Sequence, residues 1–259
     1  MKLLINYATK EFRKSQKINT KTGIKVGEFD KVIQYSPKDI DSVFYKKNKK
    51  ILSLKRGVGY WLWKPYFIKK SLKLLNEGDY LFYCDSGAYF LDSIDPLIEL
   101  SKRFNQDIIA FENAFIEREW SKRDAFILMG CDMPKYGDTN GRLAGFILLK
   151  KSKFTTDFVN EWLKYSQDER IITDLGNQLG KPNYPGFKEN RHDQTIFSLL
   201  TKKYNLKHFR DPSQRGNSRK ELYPESNYKQ LIQLTRAKNY SLLERVHLLF
   251  CKLFAKLKN

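Results

Sequence analysis

The segment that most narrows the fold is Tyr80-Leu81-Phe82-Tyr83-Cys84, introduced by Gly78-Asp79 and followed at once by Asp85-Ser86-Gly87. An unbroken apolar and aromatic run of this length suits a strand covered on both faces, inside a sheet layered by helices. A carboxylate directly behind such a strand must be hydrogen-bonded, metal-bound or open to a cleft, because burying it alone is costly. Ligands of open α/β sheets gather at these strand ends. Asp85 therefore has two readings: a metal or sugar ligand at the sheet edge, or an Asx-turn closing the strand with help from Gly87.

The rest of the chain alternates strand-like with helix-like segments, the pattern of an α/β domain. Leu3-Leu4-Ile5, Val32-Ile33-Gln34-Tyr35, Ile108-Ile109-Ala110-Phe111 and Gly145-Phe146-Ile147-Leu148-Leu149 read as further strands. Residues 66–76, with Phe67, Leu72 and Leu75 among lysines, read as an amphipathic helix. So does Phe154 to Tyr165, where Phe158, Trp162 and Tyr165 share a face. Lys46-Lys47-Asn48-Lys49-Lys50 is a solvated helix face or loop. Residues 176–190 are rich in Gly, Pro and Asn and read as a loop.

With 259 residues the chain needs no disulfide staples, since a chain of this size buries roughly 70–75% of its extended surface. Cys84, Cys131 and Cys251 form no CxxC pair, which argues against a disulfide framework or a zinc finger and fits a reducing, cytosolic setting. The start Met1-Lys2-Leu3-Leu4-Ile5 reads as a strand and not as a signal peptide, and no apolar stretch is long enough to span a membrane. The formal charge of +19 favours anionic partners. It also raises an alternative, a basic single-stranded nucleic-acid-binding protein that combines charge with stacking aromatics. Against that, the basic residues spread along the whole chain without an RNP, KH or helix-turn-helix signature.

Three further groups of residues point to chemistry. Arg191-His192-Asp193-Gln194 precedes the apolar Ile196-Phe197-Leu199-Leu200, which puts Asp193 near a helix N-terminus. There the His-Asp pair reads either as a cation- or hydroxyl-handling site or as a simple helix cap. Gly57-Val58-Gly59-Tyr60-Trp61-Leu62-Trp63-Lys64-Pro65-Tyr66 reads as a platform for a ring-shaped ligand, with Lys64 held by Pro65 to face a charge, or as a core cluster under a loop. Trp120, alone among charges in Glu119-Trp120-Ser121-Lys122-Arg123-Asp124, reads as part of a binding loop.

The tail sets itself apart. From Arg236 to Asn259, Leu242, Leu243, Val246, Leu249, Phe250, Leu253, Phe254 and Leu257 form an apolar stripe, while Arg245, Lys252, Lys256 and Lys258 project elsewhere. The expected organisation is residues 1–235 as the folded domain and 236–259 as a basic amphipathic helix, lying on an anionic membrane surface or docked on the core. Each basic group near such a surface contributes about 1 kcal/mol.

Taken in order, WLWKPYFI, GDYLFYCDSGAYF, EWSKRDAF, LAGFILLKKS and RHDQTIFSLL resemble bacterial glycosyltransferases of capsule and O-antigen gene clusters, over about residues 1 to 215. The resemblance implies a GT-A-like fold, a mixed central sheet flanked by helices with a nucleotide-sugar at its C-terminal edge. By this resemblance Asp85 matches the first carboxylate of the Asp-x-Asp element that handles the donor ribose and the metal-diphosphate. Gly145 and Phe146 match the segment lining the donor sugar, and Tyr7 and Ala8 match positions that meet the base. Lys64 and Ser86 join the donor set, and Trp120 and Arg123 are the expected acceptor contacts. Asp193 matches the carboxylate at a helix start that contacts the donor sugar or takes the acceptor's proton.

One departure is plain: the second carboxylate of Asp-x-Asp falls on Gly87. The expected divalent cation, Mn²⁺ or Mg²⁺, would then rely on Asp85 and His192 with the diphosphate and water. Otherwise Lys64, Arg56 or Arg123 would neutralise the diphosphate instead. The expected activity is hexosyl transfer from a UDP-sugar of the galactose, galactofuranose or glucose type to a hydroxyl of a lipid-linked oligosaccharide or polysaccharide. It is expected to proceed with inversion and with Asp193 as base, in a cytoplasmic enzyme peripheral to the inner face of the membrane. Nucleic acid is not among the expected partners.

Overall fold

The computed structural model describes residues 1–213 and 220–235. The expected tail helix, including Cys251, lies outside the described residues, so the boundary at residue 236 stands as an expectation.

Among the described residues nine strands build the sheets: β1 (Lys2–Tyr7), β2 (Lys31–Tyr35), β3 (Tyr80–Cys84), β4 (Ala88–Phe90), β5 (Ile108–Ile116), β6 (Asn140–Arg142), β7 (Phe146–Lys150), β8 (His208–Phe209) and β9 (Ile232–Leu234). The main sheet runs β2-β1-β3-β7-β5-β6, with β8 also paired to β5. β2, β1 and β3 are parallel; β7 is antiparallel to both β3 and β5, and β5 is antiparallel to β6. A small second sheet pairs β4 with β9.

The period of two along a strand explains the unbroken apolar run in β3. Leu81 and Tyr83 pack into one core with Phe67, Ile68, Phe158, Trp162 and Phe197. Phe82 and Cys84 pack into the other with Leu4, Phe29, Phe90, Leu97 and Phe146. β5 does the same, placing Ile108 and Ala110 in the first core and Ile109 and Phe111 in the second. With both faces covered, Leu81–Cys84 of β3 and Ile108–Phe111 of β5 leave no position for a charged side chain.

Two helices of the first core matter most for the site. Trp63–Leu72 buries Trp63, Lys64, Pro65, Tyr66, Phe67 and Ile68, and Asp193–Lys203 buries Asp193, Thr195, Ile196, Phe197 and Leu200. Between them runs Lys153–Ser166, whose Trp162 donates its indole N–H to the Asp193 carbonyl at 3.2 Å. Ser152 starts that helix by accepting the Thr155 N–H, the expected role of a serine N-cap. The expected helix over 66–76 begins earlier and ends at Leu72, and the irregular stretch before residue 190 is a loop, as its composition predicts.

Candidate active site

Asp85 lies two residues beyond Tyr83, so the strand's alternation turns it toward the first core and its two helices. Its N–H extends the ladder to β7, donating to the Gly145 carbonyl at 2.7 Å. The Tyr83 hydroxyl donates to Asp85 Oδ1. Burial holds the Tyr83 phenol well above its ordinary pKa, with the Asp85 charge adding to the shift, so it stays a proton donor here. Gly145 is needed at close range: a Cβ there would come within 3.2 Å of Asp85 Oδ2.

Lys64 reaches the same spot from the second position of its helix. Its Nζ lies 2.6 Å from Asp193 Oδ2 and 3.9 Å from Asp85 Oδ1, and donates to the Ala144 carbonyl at 2.9 Å. It also sits over the Tyr83 ring, 5.0 Å from the centroid. The lysine and Asp193 side chains are 4% and 5% exposed, whereas that of Asp85 is 40% exposed. The arrangement is a buried ion pair with a second carboxylate at its open side. Burial pushes the Asp193 carboxyl up to about 6; Lys64 opposes the shift and the Asp85 charge adds to it. A carboxyl poised there suits proton transfer near neutral pH. Gln194 completes the rim by accepting the Ala144 N–H at 3.3 Å.

The remaining candidate residues divide. Ser86 donates to the Tyr7 carbonyl at 2.6 Å and so ties the end of β3 to the end of β1. The Tyr7 ring belongs to the core, stacked 3.7 Å from Trp63, and the buried Ala8 donates its N–H to the Tyr35 carbonyl at 3.0 Å. The Phe146 side chain is likewise core. Trp63 and Tyr66 follow the core reading of the aromatic segment, whereas Tyr60 and Trp61 remain half-buried.

Trp120 and Arg123 are each held by contacts of their own, none of them to Asp85, Lys64 or Asp193. Arg191 covers the Trp120 ring at 4.2 Å and Phe115 packs against it at 5.0 Å. Arg123 Nε is 2.6 Å from Asp132, and its guanidinium lies 3.8 Å over the Tyr184 ring. Arg56, considered for the diphosphate, pairs with Asp174 at 3.1 Å and Glu189 at 3.0 Å.

His192 is not brought to Asp85. Its Nδ1 bonds the Ile172 carbonyl at 2.8 Å, its Nε2 is 3.8 Å from Asp174, and its ring meets Trp61 and Tyr60 at 5.5 and 4.9 Å. Burial lowers its pKa to about 4, so the imidazole is neutral at pH 7. A turn explains the separation. His192 has φ 56° and ψ −117°, and Gln194 N–H bonds the Arg191 carbonyl at 3.0 Å, a type II′ arrangement that sends adjacent side chains to different surroundings.

The donor set therefore does not fit a cation held jointly by Asp85 and His192. Gly87 offers no second carboxylate, and among the described residues no three His, Cys, Asp or Glu side chains are grouped to hold a metal. The position between the two carboxylates is filled by an ammonium. Unit charges about 4 Å apart interact by about 4 kcal/mol at an effective dielectric near 20, so a dication on Asp85 would meet comparable or larger repulsion from Lys64.

Next to this site the backbone is strained. Gly57, Val58, Gly59, Tyr60 and Trp61 all have positive φ, between 52° and 89°. Tyr60 N–H bonds the Arg56 carbonyl at 2.8 Å and Trp61 N–H that of Gly57 at 3.3 Å, so the segment is one left-handed helical turn. A left-handed conformation costs a residue other than glycine about 1–2 kcal/mol, and three of these five are not glycine. The two glycines are required by space as well: a Cβ on Gly57 would lie 2.3 Å from the Trp61 ring, and one on Gly59 2.7 Å from Leu52 Cα.

The mixed central sheet with its flanking helices matches the GT-A glycosyltransferase fold. Among solved structures, the galactosyltransferase LgtC in complex with donor and acceptor sugar analogues has a TM-score of 0.52 at 13% identity, covering 99% of this chain and 95% of that one. An active-site mutant of LgtC gives 0.52 at 13% identity, over 96% and 95% of the two chains. The WbbM bifunctional glycosyltransferase gives 0.51 at 9% identity, over 91% of this chain but 46% of its own. No family model and no curated sequence matches the chain.

Proposed function

We propose that the chain is a glycosyltransferase that moves a sugar from a nucleoside-diphosphate donor to an acceptor hydroxyl. The observation that carries this reading is the meeting of Asp85 and Asp193 at the Lys64 ammonium, at the carboxyl end of β3 in a GT-A fold. In this reading Asp85, the more exposed carboxylate, meets the ribose and diphosphate side of the donor. Gly145 lets the donor sugar approach, and the Lys64 charge offsets that of the leaving diphosphate. Asp193 contacts the donor sugar and takes the acceptor proton as the glycosidic bond forms and the nucleoside diphosphate departs, with inversion at the anomeric carbon.

We further propose a UDP-sugar of the galactose or glucose type and a lipid-linked or polysaccharide acceptor at an anionic membrane surface on the cytoplasmic side. The +19 charge and the basic, apolar pattern after Arg236 support that acceptor setting. Among the described residues no helix is long and apolar enough to cross a membrane.

A thermal-shift panel of UDP, GDP, CDP and TDP, each with and without Mn²⁺, tests the donor reading. A ligand at a hundred times its dissociation constant stabilises by about 2.7 kcal/mol, an easily measured shift. UDP is expected to give the largest rise. Transfer to a short saccharide acceptor is expected to fall at least ~1,000-fold in Asp193→Asn. No shift with any nucleotide, or near-normal transfer by Asp193→Asn, contradicts the reading.

A further inference from the structure

The His192 backbone adopts dihedrals, φ 56° and ψ −117°, that glycine adopts at little cost at the first central position of a type II′ turn. The strain accompanies a side chain that is 3% exposed and engaged on several sides. Nδ1 faces the Ile172 carbonyl at 2.8 Å and therefore carries the ring proton. One ring face stacks on Trp61 and an edge meets Tyr60. Nε2 is buried without a hydrogen bond. The residues it packs against are themselves left-handed, so two strained segments brace each other. Strain of this kind persists only where the surroundings over-determine it, and it gathers at functional sites.

The brace reaches both halves of the buried ion pair. On one side His192 is the chain neighbour of Asp193. On the other, the Trp61 carbonyl accepts the Lys64 N–H at 2.9 Å, which places the first turn of the lysine's helix. We propose that His192 is a positioning residue: its imidazole, clamped between Trp61 and the Ile172 carbonyl, fixes Asp193 against Lys64. The inference rests on the transfer reading for its effect on rate, and on geometry alone for its effect on the ion pair.

The decisive variant is His192→Gly, which suits the turn dihedrals but removes the clamp; His192→Ala removes the clamp and keeps the strain. The glycine variant is expected to melt at or above the alanine variant. Its crystal structure is expected to show the Lys64–Asp193 separation lengthened from 2.6 Å to beyond 4 Å. Turnover of both variants is expected to fall tenfold or more while the donor KM stays within threefold. Added imidazole is expected to restore part of the turnover of His192→Gly. A core variant of matched melting temperature, Leu97→Ala, is expected to keep its turnover.

An unchanged 2.6 Å ion pair in His192→Gly overturns the inference, as does full turnover in that variant or a matched loss in Leu97→Ala. A wild-type enzyme that transfers no sugar from any donor instead sinks the transfer reading. The ion-pair distance then decides the clamp by itself.

Discussion

At the residue scale, the site is a problem in desolvation. Asp193 is nearly sealed from water, and the nearby ammonium only partly offsets the cost of its charge, leaving the carboxyl at about 6 against an ordinary 3.8. The sign of the pH effect follows. Below that value Asp193 is protonated and cannot accept the acceptor's proton; above it the base is available. Plotted against pH, kcat/KM for transfer is therefore expected to rise through an apparent pKa near 6, well above the ordinary carboxylate range. A rising limb centred below pH 4.5 would remove Asp193 from the role of base. Gly145 gives an independent check on Asp85. An added methyl meets Asp85 Oδ2 at 3.2 Å, so the carboxylate, whose other oxygen accepts from the Tyr83 hydroxyl, must be displaced from its place in the site. Gly145→Ala is expected to weaken nucleoside-diphosphate binding about tenfold, or 1.4 kcal/mol, while the melting temperature stays within a few degrees. Calorimetric titration of UDP reads the first and differential scanning the second.

At the scale of elements, the helix Asp193–Lys203 is pinned at both ends by charge. Its start carries Asp193 to Lys64, and near its end Lys202 lies 2.8 Å from Glu117, whose carboxylate also accepts from Ser121 and Ser198. Both members of the far pair are buried, at 6% and 4% side-chain exposure. Removing one partner strands the other, so Lys202→Met is expected to cost about 3–5 kcal/mol in urea unfolding, and Glu117→Gln with Lys202→Met together less than Lys202→Met alone. A single-mutant loss below 1 kcal/mol would show that the pair does not anchor the helix. These elements also show what a sequence reveals. β3 and the first half of β5 are legible because both faces are apolar. The outer half of β5 is not, because Glu112 is matched only by partners distant in sequence, Arg142 at 3.2 Å and His208 at 3.0 Å. The short strands β4, β6, β8 and β9 exist through their partners, not through any pattern of their own.

The same distinction divides the site. Asp85 and Asp193 are readable because each stands at an element boundary, and Lys64 because Pro65 fixes it at a helix start. Tyr83 and Gln194 carry no sequence signal as rim residues: the first reads as core, and the second becomes visible only when the loop Ala144-Gly145 is in place. His192 beside Asp193 looks like a shared ligand set, but the turn that separates their side chains has no local signal, since its first central position normally calls for glycine. The left-handed turn Gly57–Trp61 is equally hidden, because only its glycines announce it.

At the scale of the whole molecule, β9 closes the described chain by pairing with β4, directly after the Asp85-Ser86-Gly87 loop, and Thr235 bonds the Gly87 carbonyl at 2.9 Å. A chain ending at Thr235 thus retains the strand that braces this loop. It is expected to keep transfer to a soluble acceptor within about threefold while losing most of its binding to anionic vesicles, given about 1 kcal/mol per basic residue near the surface. Transfer and vesicle sedimentation, measured on the same truncated protein, check both halves; loss of transfer together with the fold would assign the tail to the core. The central claim is that Asp85 and Asp193 hold opposite ends of one donor. Calorimetric titration of UDP and of a UDP-sugar into wild type, Asp85→Asn and Asp193→Asn tests it most directly. Asp85→Asn is expected to weaken both ligands at least tenfold, while Asp193→Asn spares UDP and weakens only the sugar-bearing donor. Wild-type affinities for both ligands in both variants would contradict it.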